Sequence, residues 1–552
     1  MAPGKAWNRR LILAGGTALA AGGGYLALRQ PPAGTRHRIT DATTLLRGNG
    51  AEPETLDPNL STGTQDDAIM GDLMTGLMTE DPMCLPIPGM AKNWTTSPDG
   101  LTWTFSLREA LWSDGVPVTA EDFVFSWQRL LEPALAAPYA YFVYFLKNAA
   151  AINTGKMPKS ALGARALNAH TLEMKLEHPT PYMLELLMHA ATFPLPRHVV
   201  TAKGRDWARP GNHVGNGAYI LKQWIPNGHV LVEKNPRFFD AANVALEKIY
   251  FYPTDDYGAA LQRMRAGELD IQDRIPTQRI DWIRANMPAA YAPVPILVTE
   301  YVQVNHTRAP FGDVRVREAI NLALNREVIA QRIRRIGDVP AYALVPPATA
   351  NYPFGTELGF KSMPYPARTE RARALMRAAG FGEQNRLKTT FMIRSTAPGP
   401  YRSVAAAIQQ MLALAYIDIA ILPTDFQVYL AQTQAHDFDM FEGGWSADFN
   451  DASTFLELLQ TGGGNNWGVY SSQAFDRMLA AAQSDNDLIS RGRKLAAAET
   501  IAMTDHAIMP LYNWASPNLV WPYVKGWREN PLDKHRSRWM TVDQAARIKQ
   551  FA

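Results

Sequence analysis

The most informative segment of the chain is Trp112-Ser-Asp-Gly-Val-Pro-Val-Thr-Ala-Glu-Asp-Phe-Val-Phe-Ser-Trp-Gln-Arg129. Its second half predicts a helix that begins after Thr119, because a threonine side chain accepts hydrogen bonds from the free N–H groups of a first helical turn. Glu121 and Asp122 lie in that turn, where the helix dipole favours negative charge. The residues from Phe123 to Leu131 then supply the apolar face of the helix.

Segments on both sides of this helix alternate between strand and helix patterns. Residues 101–107 alternate apolar and polar side chains, which is typical of a half-buried strand, and residues 44–48 predict a short buried strand. Residues 69–78 and 313–336 have the apolar spacing of helices. Between Lys388 and Leu422 the pattern is strand, helix, strand, as in βαβ units. The sequence therefore predicts two α/β lobes in series, with a change of character near residue 300.

Composition narrows the class of protein. A chain of 552 residues is long enough for two to four domains. Its 47% hydrophobic content and 14 tryptophans exclude a disordered or collagen-like chain. The first 30 residues carry four basic residues and no acidic one, which leaves 51 Lys and Arg against 52 Asp and Glu. A nearly neutral body argues against a nucleic-acid partner. The single cysteine, Cys84, excludes an intrachain disulfide and a cysteine-rich metal site.

The N-terminus has the pattern of an export signal. A basic stretch ending in Arg9-Arg10 is followed by a Gly/Ala-rich apolar run that ends at Leu28. Arg9-Arg10-Leu11-Ile12-Leu13 resembles a twin-arginine signal. The alternative is a weak membrane-spanning helix that would persist as a tether. No cysteine follows the run, so we expect no lipoprotein anchor. Residues 1–40 are predicted to be an export signal or possible anchor with a linker, and the protein is expected to be periplasmic.

Common enzyme motifs are missing from the sequence. It contains no Gly-x-Ser-x-Gly elbow, no Gly-x4-Gly-Lys-Ser/Thr phosphate loop and no His-Glu-x-x-His pair. Gly215-Asn-Gly217 lacks the third glycine of a dinucleotide loop. We therefore predict a non-catalytic protein without a cofactor or metal, although a Ser/His/Asp triad assembled only by folding stays open.

One segment has the composition of a peptide-binding site: Gly443-Gly444-Trp445-Ser446-Ala447-Asp448-Phe449-Asn450-Asp451. Two glycines allow close approach of another backbone. Backbone groups could pair with a ligand strand while Asp448 accepts its α-ammonium group. The alternative is an ordinary strand followed by a turn, with the side chain of Asp448 bonded to its own backbone. From local sequence alone the ordinary explanation is favoured.

Blocks spread over nearly the whole chain resemble the periplasmic receptor component of ABC oligopeptide importers, the family 5 solute-binding proteins. The resemblance extends from Leu46 to about Asp533. Besides the block at residues 112–129, it is carried by Leu56-Asp57-Pro58, Pro138-Tyr139-Ala140, Asn216-Gly-Ala-Tyr219, Pro310-Phe-Gly-Asp-Val-Arg-Val-Arg-Glu-Ala319, Trp445-x-Ala-Asp448 and Asn530-Pro-Leu-Asp533.

The resemblance implies an α/β fold, a two-lobed periplasmic-binding-protein clamshell of type II-like architecture with an additional inserted domain. Lobe I would combine residues 41–83, 207–300 and 515–552. The inserted domain would be 84–206, and lobe II would be 301–514. Segments near Tyr301 and Trp514 would form the hinge. A monomer of this kind encloses an oligopeptide between its lobes and delivers it to an inner-membrane ABC permease with its ATPase subunits.

The resemblance also implies a set of ligand-binding residues. Asp448 corresponds to the acceptor of the peptide α-amino group, and Thr62 and Thr64 lie in the facing loop. Arg332 or Arg334 falls where relatives can place a cation near the ligand carboxylate. The segment that pairs with the ligand backbone and the pocket aromatics are, in order, Gly444, Trp445, Ala447, Tyr139, Phe426 and Trp514. Each aromatic taken alone also fits core packing.

Three departures concern the ligand carboxyl end. Glu442 stands where some relatives carry an arginine, Thr433 occupies a position that is basic in others, and Thr396-Ala-Pro-Gly-Pro-Tyr401 offers no histidine. These departures keep an alternative open, in which the same fold binds a cell-wall peptide, an opine-like compound or a metal chelate. An enzyme or chaperone that uses the clamshell is the third class.

Overall fold

The computed structural model describes residues 41–394 and 401–551. The predicted export signal, its twin-arginine motif and the possible tether lie outside the described residues. Among the residues described, none of the helices is both long enough and apolar enough to cross a bilayer.

The strands follow one another along the chain with these bounds: β1 (Thr44–Gly48), β2 (Met78–Glu80), β3 (Pro86–Pro88), β4 (Ala91–Thr96), β5 (Thr102–Leu107), β6 (Ala164–Asn168), β7 (Thr171–Lys175), β8 (Tyr219–Ile225), β9 (His229–Lys234), β10 (Lys248–Tyr252), β11 (Ile271–Gln272), β12 (Tyr291–Val304), β13 (Val339–Pro340), β14 (Leu387–Arg394), β15 (Ile417–Thr424), β16 (Met440–Ser446), β17 (Met509–Val520), β18 (Val524–Lys525) and β19 (Thr541–Val542).

The α-helices have these bounds: α1 (Thr64–Leu73), α2 (Ala120–Leu130), α3 (Ala149–Asn153), α4 (Met183–Leu186), α5 (Arg197–Lys203), α6 (Tyr257–Ala266), α7 (Ile280–Asn286), α8 (Val314–Ala323), α9 (Tyr365–Ala378), α10 (Tyr401–Ala413), α11 (Phe426–Gln434), α12 (Ser453–Leu456), α13 (Gln473–Gln483), α14 (Leu488–Thr504) and α15 (Gln544–Phe551). A π-helix covers Val328–Arg334. Short 3₁₀ turns lie at Pro133–Leu135, Ala140–Val143, Lys159–Ala161, Ala190–Thr192, Gly204–Ala208, Ala241–Asn243, Thr277–Arg279, Glu457–Leu459 and Ser537–Trp539.

One large mixed sheet runs through the described residues. Its strand order is β15-β14-β16-β12-β17-β11-β1-β10-β9-β8, and β13 pairs with β17. The pairs β14–β15 and β1–β10 are parallel, whereas the long strands β12 and β17 are antiparallel to each other. The predicted βαβ unit is confirmed by β14, α10 and β15. The antiparallel pair β12–β17 joins the two halves of the sheet.

Two separate hydrophobic clusters flank this junction. The buried residues of the first cluster lie at positions 45–290 and 519–542, and those of the second cluster lie at positions 297–512. Along β12, Tyr291 packs against the first cluster and Leu297 belongs to the second. The pairing of β12 with β17 is irregular there, with register shifts between Pro295 and Thr299 and again between Glu300 and Tyr301.

A second sheet, β4-β5-β7-β6, carries helix α2 against one side. The helix predicted after Thr119 is confirmed as Ala120–Leu130, with a capping box in which the Thr119 backbone N–H donates to the Asp122 carboxylate at 2.8 Å. Trp112, Phe123 and Trp127 are completely buried. The segment that resembles the family most strongly is thus the core of this module, because burial of such large rings stabilises it by roughly 1.5–3 kcal/mol per side chain.

Two helix predictions are wrong in their bounds. Residues 69–78 do not form one helix, since α1 ends at Leu73 and Met78 begins β2. The Thr75 backbone N–H donates instead to the Asn216 side chain at 2.9 Å, which draws the chain out of the helix. Residues 313–336 form α8 and then a π-helix, because the buried Arg326 guanidinium donates to the carbonyl oxygens of Asn321 and Leu324 at 3.0 and 3.3 Å.

Gly217 lies directly against the end of α1. A Cβ at this position would overlap the backbone at Leu73 and Met74. We expect Gly217→Ala to lower the free energy of unfolding by about 2 kcal/mol, because overpacking forces the backbone to shift. Gly359→Ala is the control, since a Cβ there meets open space. Thermal melts of both variants test this, and equal melting temperatures would contradict it.

Candidate ligand-binding site

Strand β16 carries the segment that the sequence singles out. It pairs antiparallel with β12, so that Gly444 lies opposite Glu300 and Trp445 opposite Thr299. A Cβ on Gly444 would lie 2.5 Å from the Glu300 carboxylate, and one on Gly443 would overlap the Tyr301 ring. Packing within the sheet therefore leaves no room for a side chain at Gly443, and a side chain at Gly444 would displace the Glu300 carboxylate. Pairing of Gly444 with a ligand backbone stays a prediction.

Asp448 lies in the loop that follows β16 and is partly exposed. Burial raises the pKa of its carboxyl group to about 6, and the positive charge of Lys534 opposes this rise. Tyr139 and Tyr141 are close enough that the Asp448 charge adds to burial in raising the pKa of both phenols. Tyr141 is 50% exposed. We call these four residues the Asp448 chamber.

The loop that presents Asp448 is held from several sides. The Ala447 backbone N–H donates to the Leu297 carbonyl at 2.8 Å. The Trp445 indole N–H donates to the Thr454 hydroxyl at 3.1 Å. Three residues after Asp448, the loop is anchored by a buried ion pair in which Arg491 donates to both carboxylate oxygens of Asp451 at 2.6 and 2.8 Å. These contacts limit the positions that the Asp448 carboxylate can adopt.

An aromatic stack connects this loop to the module around α2. The rings of Phe449 and Tyr182 are parallel within 3° with their centroids 4.8 Å apart. The Arg491 guanidinium lies 4.8 Å from the centroid of the same Tyr182 ring. Asp448 is consequently flanked by a contact between the two parts of the chain that the family resemblance assigns to lobe II and the inserted domain.

The two predicted threonines lie at the start of helix α1. Thr62 is exposed just before α1, and Thr64 is exposed as its first residue. One turn further, Asp67 lies 3.8 Å from the Lys534 ammonium group. The charge of Asp67 also contributes to the raised pKa of Tyr139, after burial and Asp448. Helix α1 is thus a neighbour of the Asp448 chamber.

A second group of residues surrounds Glu300 on β12. Arg394 forms ion pairs with Glu300 and, at 3.5 Å, with Glu442. The Trp514 indole N–H donates to the Glu300 carboxylate at 3.0 Å. Together with Gly444, which faces Glu300, these residues are called the Glu300 cluster. Glu300 and Glu442 are 0% and 1% exposed.

The remaining predicted positions lie beside the Glu300 cluster. Phe426 is 44% exposed at the start of α11 and stacks on Tyr429 with ring centroids 6.3 Å apart. The Tyr429 hydroxyl donates to the Glu442 carbonyl oxygen at 2.6 Å. Thr433 is buried and bonded to its own helix. Arg334 forms a buried ion pair with Asp338 at 2.6 Å, whereas Arg332 is exposed.

Five of the predicted ligand-binding residues fall into two groups in the structure. Asp448 and Tyr139 belong to the Asp448 chamber, and Gly444, Trp514 and Phe426 lie in or beside the Glu300 cluster. Sequence reasoning missed the following members: Tyr141, Lys534, Glu300 and Arg394. Lys534 could have been noticed, because it directly follows the Asn530-Pro-Leu-Asp533 block. Arg394 lies two residues before the segment Thr396–Tyr401, but its partners Glu300 and Glu442 are 94 and 48 positions away in sequence.

In residues 41–394 and 401–551, no three His, Cys, Asp or Glu side chains are placed to hold a metal ion together. Cys84 is buried, and burial raises the pKa of its thiol to about 12.

Comparison with known proteins identifies the family. Residues 86–467 match the model of the bacterial extracellular solute-binding proteins, family 5 middle region. The chain belongs to the family 5 bacterial extracellular solute-binding proteins. Its fold is accordingly the mixed α/β, two-lobed clamshell of the periplasmic binding proteins, as the sequence predicts.

Several characterised proteins are similar over most of the chain. The periplasmic oligopeptide-binding protein OppA of Salmonella typhimurium is 35% identical over 508 residues, which cover 91% of this chain and 92% of that protein. The periplasmic murein peptide-binding protein MppA of Escherichia coli is 33% identical over 515 residues, with 93% and 95% covered. The unliganded open form of the murein tripeptide-binding protein MppA superimposes with a TM-score of 0.81 over 91% of this chain and 98% of that one, at 33% identity.

Proposed function

We propose that this protein is a non-catalytic, extracytoplasmic receptor that encloses oligopeptides between two lobes and delivers them to an ABC permease. The observation that carries the proposal is the Asp448 carboxylate, which is partly exposed yet desolvated enough to have a pKa of about 6. A ligand ammonium group gains most from such a carboxylate, because ion pairs strengthen where water is excluded. The names of the relatives OppA and MppA support a peptide ligand.

The proposed site extends the Asp448 contact to the other predicted residues. Asp448 accepts the peptide α-ammonium group, and Gly444, Trp445 and Ala447 pair with the peptide backbone. The facing loop and the aromatic walls are supplied by Thr62, Thr64, Tyr139, Phe426 and Trp514. Backbone and terminal groups are common to all peptides, so these contacts supply affinity without reading side chains.

We further propose the division into lobe I (41–83, 207–300 and 515–552), the inserted domain (84–206) and lobe II (301–514). It is supported by the change of hydrophobic cluster along β12 and by the irregular β12–β17 pairing. A hinge near Tyr301 and Trp514 would bend these two strands. We also propose that the receptor is a monomer of the periplasm, exported by the twin-arginine-like signal in residues 1–30.

The test is native mass spectrometry of the protein purified from its own periplasm, followed by denaturation and sequencing of the released ligand. The expected result is a mixture of peptides with free amino termini. A single non-peptide mass would contradict the proposed ligand and leave the fold unchanged.

A second candidate ligand is a cell-wall peptide, which is favoured by the 33% identity to the murein peptide-binding protein MppA. The same spectra separate the two candidates. Cell-wall peptides contain D-amino acids and diamino acids. A digest of the released ligand with L-specific peptidases leaves the peptide bonds to those residues uncleaved.

A further inference from the structure

The Glu300 cluster combines buried carboxyl groups with guanidinium groups that are already paired. Arg394 is shared by Glu300 and Glu442. The neighbouring Arg334, whose guanidinium lies 4.9 Å from the Trp514 ring centroid, is paired with Asp338 at 2.6 Å. Three carboxyl groups therefore surround two guanidinium groups. Both guanidinium groups are already paired, and one carboxyl group is left in excess.

Glu442 is the member whose hydrogen bonding is incomplete. It is 1% exposed, and within the described residues neither of its carboxyl oxygens has a hydrogen-bond partner of good geometry, although the Glu300 carboxyl group and the Arg394 guanidinium are neighbours. Arg394, at 3.5 Å, is at the far limit of such a bond. Buried polar groups are almost always bonded, since an unpaired one costs about 1–3 kcal/mol. Glu442 is thus an acceptor that a donor from a ligand would complete.

The pKa of Glu442 also indicates that its surroundings disfavour additional negative charge. Burial, and after it the neighbouring Glu300 charge, raises the pKa of Glu442 well above the usual range of a glutamate, although Arg394 opposes this. An incoming carboxylate would add a further acid to this group, whereas an amide or an ammonium group would bond to it.

The cluster is placed to meet a ligand that Asp448 holds by its amino end. Glu442 and Asp448 are six residues apart in sequence, which is at most about 20 Å along an extended chain. A ligand of at most about six extended residues could therefore reach from Asp448 to the cluster. Gly444 and Trp514, which touch Glu300, are themselves proposed ligand contacts.

We propose that the Glu300 cluster is a specificity-determining subsite which selects ligands that present a hydrogen-bond donor there, an amide or a cation, and which disfavours a ligand carboxylate. Glu442 is the residue that sets this preference. The inference rests on the proposed peptide-binding function and deepens it by naming the class of ligand end that is accepted.

Binding of alanine peptides of two to six residues, each as the free acid and as the C-terminal amide, tests the proposal by calorimetry. We expect that for at least one length the amide binds about tenfold more tightly than the acid. In Glu442→Gln the ratio should fall to within about threefold, because glutamine can donate to a carboxylate. In Glu442→Arg it should reverse. Asp437→Asn removes a negative charge at an exposed position five residues earlier and should keep the ratio of the wild type.

The outcomes separate this inference from the proposed function. Equal affinity for acid and amide at every length, or a preference that both Glu442 variants retain, overturns the inference while peptide binding stands. If no peptide of any length binds to the wild type, the proposed function fails and the inference fails with it. Binding of any amide by a variant also shows that the variant is folded.

Discussion

Replacing Asp448 by asparagine is expected to weaken the binding of tetra-alanine by about 100-fold or more. The reason is that removal of one partner from a desolvated ion pair commonly costs about 3–5 kcal/mol, which is more than a factor of 100 in affinity. Asparagine has the shape of aspartate, so the loop and its contacts to Leu297 and Thr454 should persist. Calorimetry at pH 7.5 measures the change.

The N-acetylated peptide identifies the group that Asp448 recognises. N-acetyl-tetra-alanine lacks the ammonium group, so the wild type should bind it as weakly as Asp448→Asn binds the free peptide. The variant should not distinguish the two peptides. A variant that still prefers the free amino terminus by the wild-type factor would assign ammonium recognition to another residue.

The stability of Asp448→Asn should not fall. The carboxyl group has a pKa of about 6 in the folded protein and about 3.9 in an unfolded chain. The folded state therefore binds the proton more tightly, so ionisation opposes folding. This cost is fully present above pH 6 and disappears below about pH 4. Asparagine removes it, and the melting temperature at pH 7.5 should be equal to or above that of the wild type.

Affinity should also depend on pH. Below pH 6 the Asp448 carboxylate must lose a proton before it pairs with an ammonium group, so the Kd of the wild type should rise about tenfold per pH unit. Burial raises the pKa of the nearby Glu457 to about 7, but Glu457 titrates in both proteins. The slope between pH 6 and pH 4.5 should be absent from Asp448→Asn. An identical slope in both proteins would exclude Asp448 as its origin.

Local features of the fold could be predicted because they depend on neighbouring residues. The capped start of α2 is determined by the four residues that follow Val118. The ends of α1 and α8 could not be predicted. They depend on Asn216 and Arg326, whose bonds break helices that the apolar spacing would continue.

Only part of the candidate site could be predicted from the sequence. Asp448 and Trp445 belong to a compact motif, which the family resemblance turned into a prediction. Glu300, Arg394 and Glu442 lie on three different strands, β12, β14 and β16, and meet only because those strands are neighbours in the large sheet. Strand order is not contained in local periodicity. Glu442 therefore stood out as a departure from the family, and its partners were invisible.

The buried Arg491–Asp451 pair should be the strongest single support of the ligand-binding loop. Both side chains are 2% exposed, and Asp451 also accepts a bond from the Ser453 backbone N–H at 2.9 Å. Arg491→Met keeps the length of the side chain but leaves a buried carboxylate without its cation. We expect a loss of about 3–5 kcal/mol in the free energy of unfolding. Urea denaturation followed by tryptophan fluorescence measures it.

The same helix provides the control for this prediction. Arg493 is exposed two residues further along α14, so Arg493→Met removes an equal charge and should change the free energy of unfolding by less than about 0.5 kcal/mol. Adding Asp451→Asn to Arg491→Met removes the orphaned charge and should restore most of the loss. If Arg491→Met is no more destabilising than Arg493→Met, the pair does not support the loop. Asp448 and Phe449 lie in the loop between Trp445 and Asp451, so we also expect Arg491→Met to weaken peptide binding. The double variant should recover binding less fully than it recovers stability, because its asparagine no longer fixes the loop through two charged bonds.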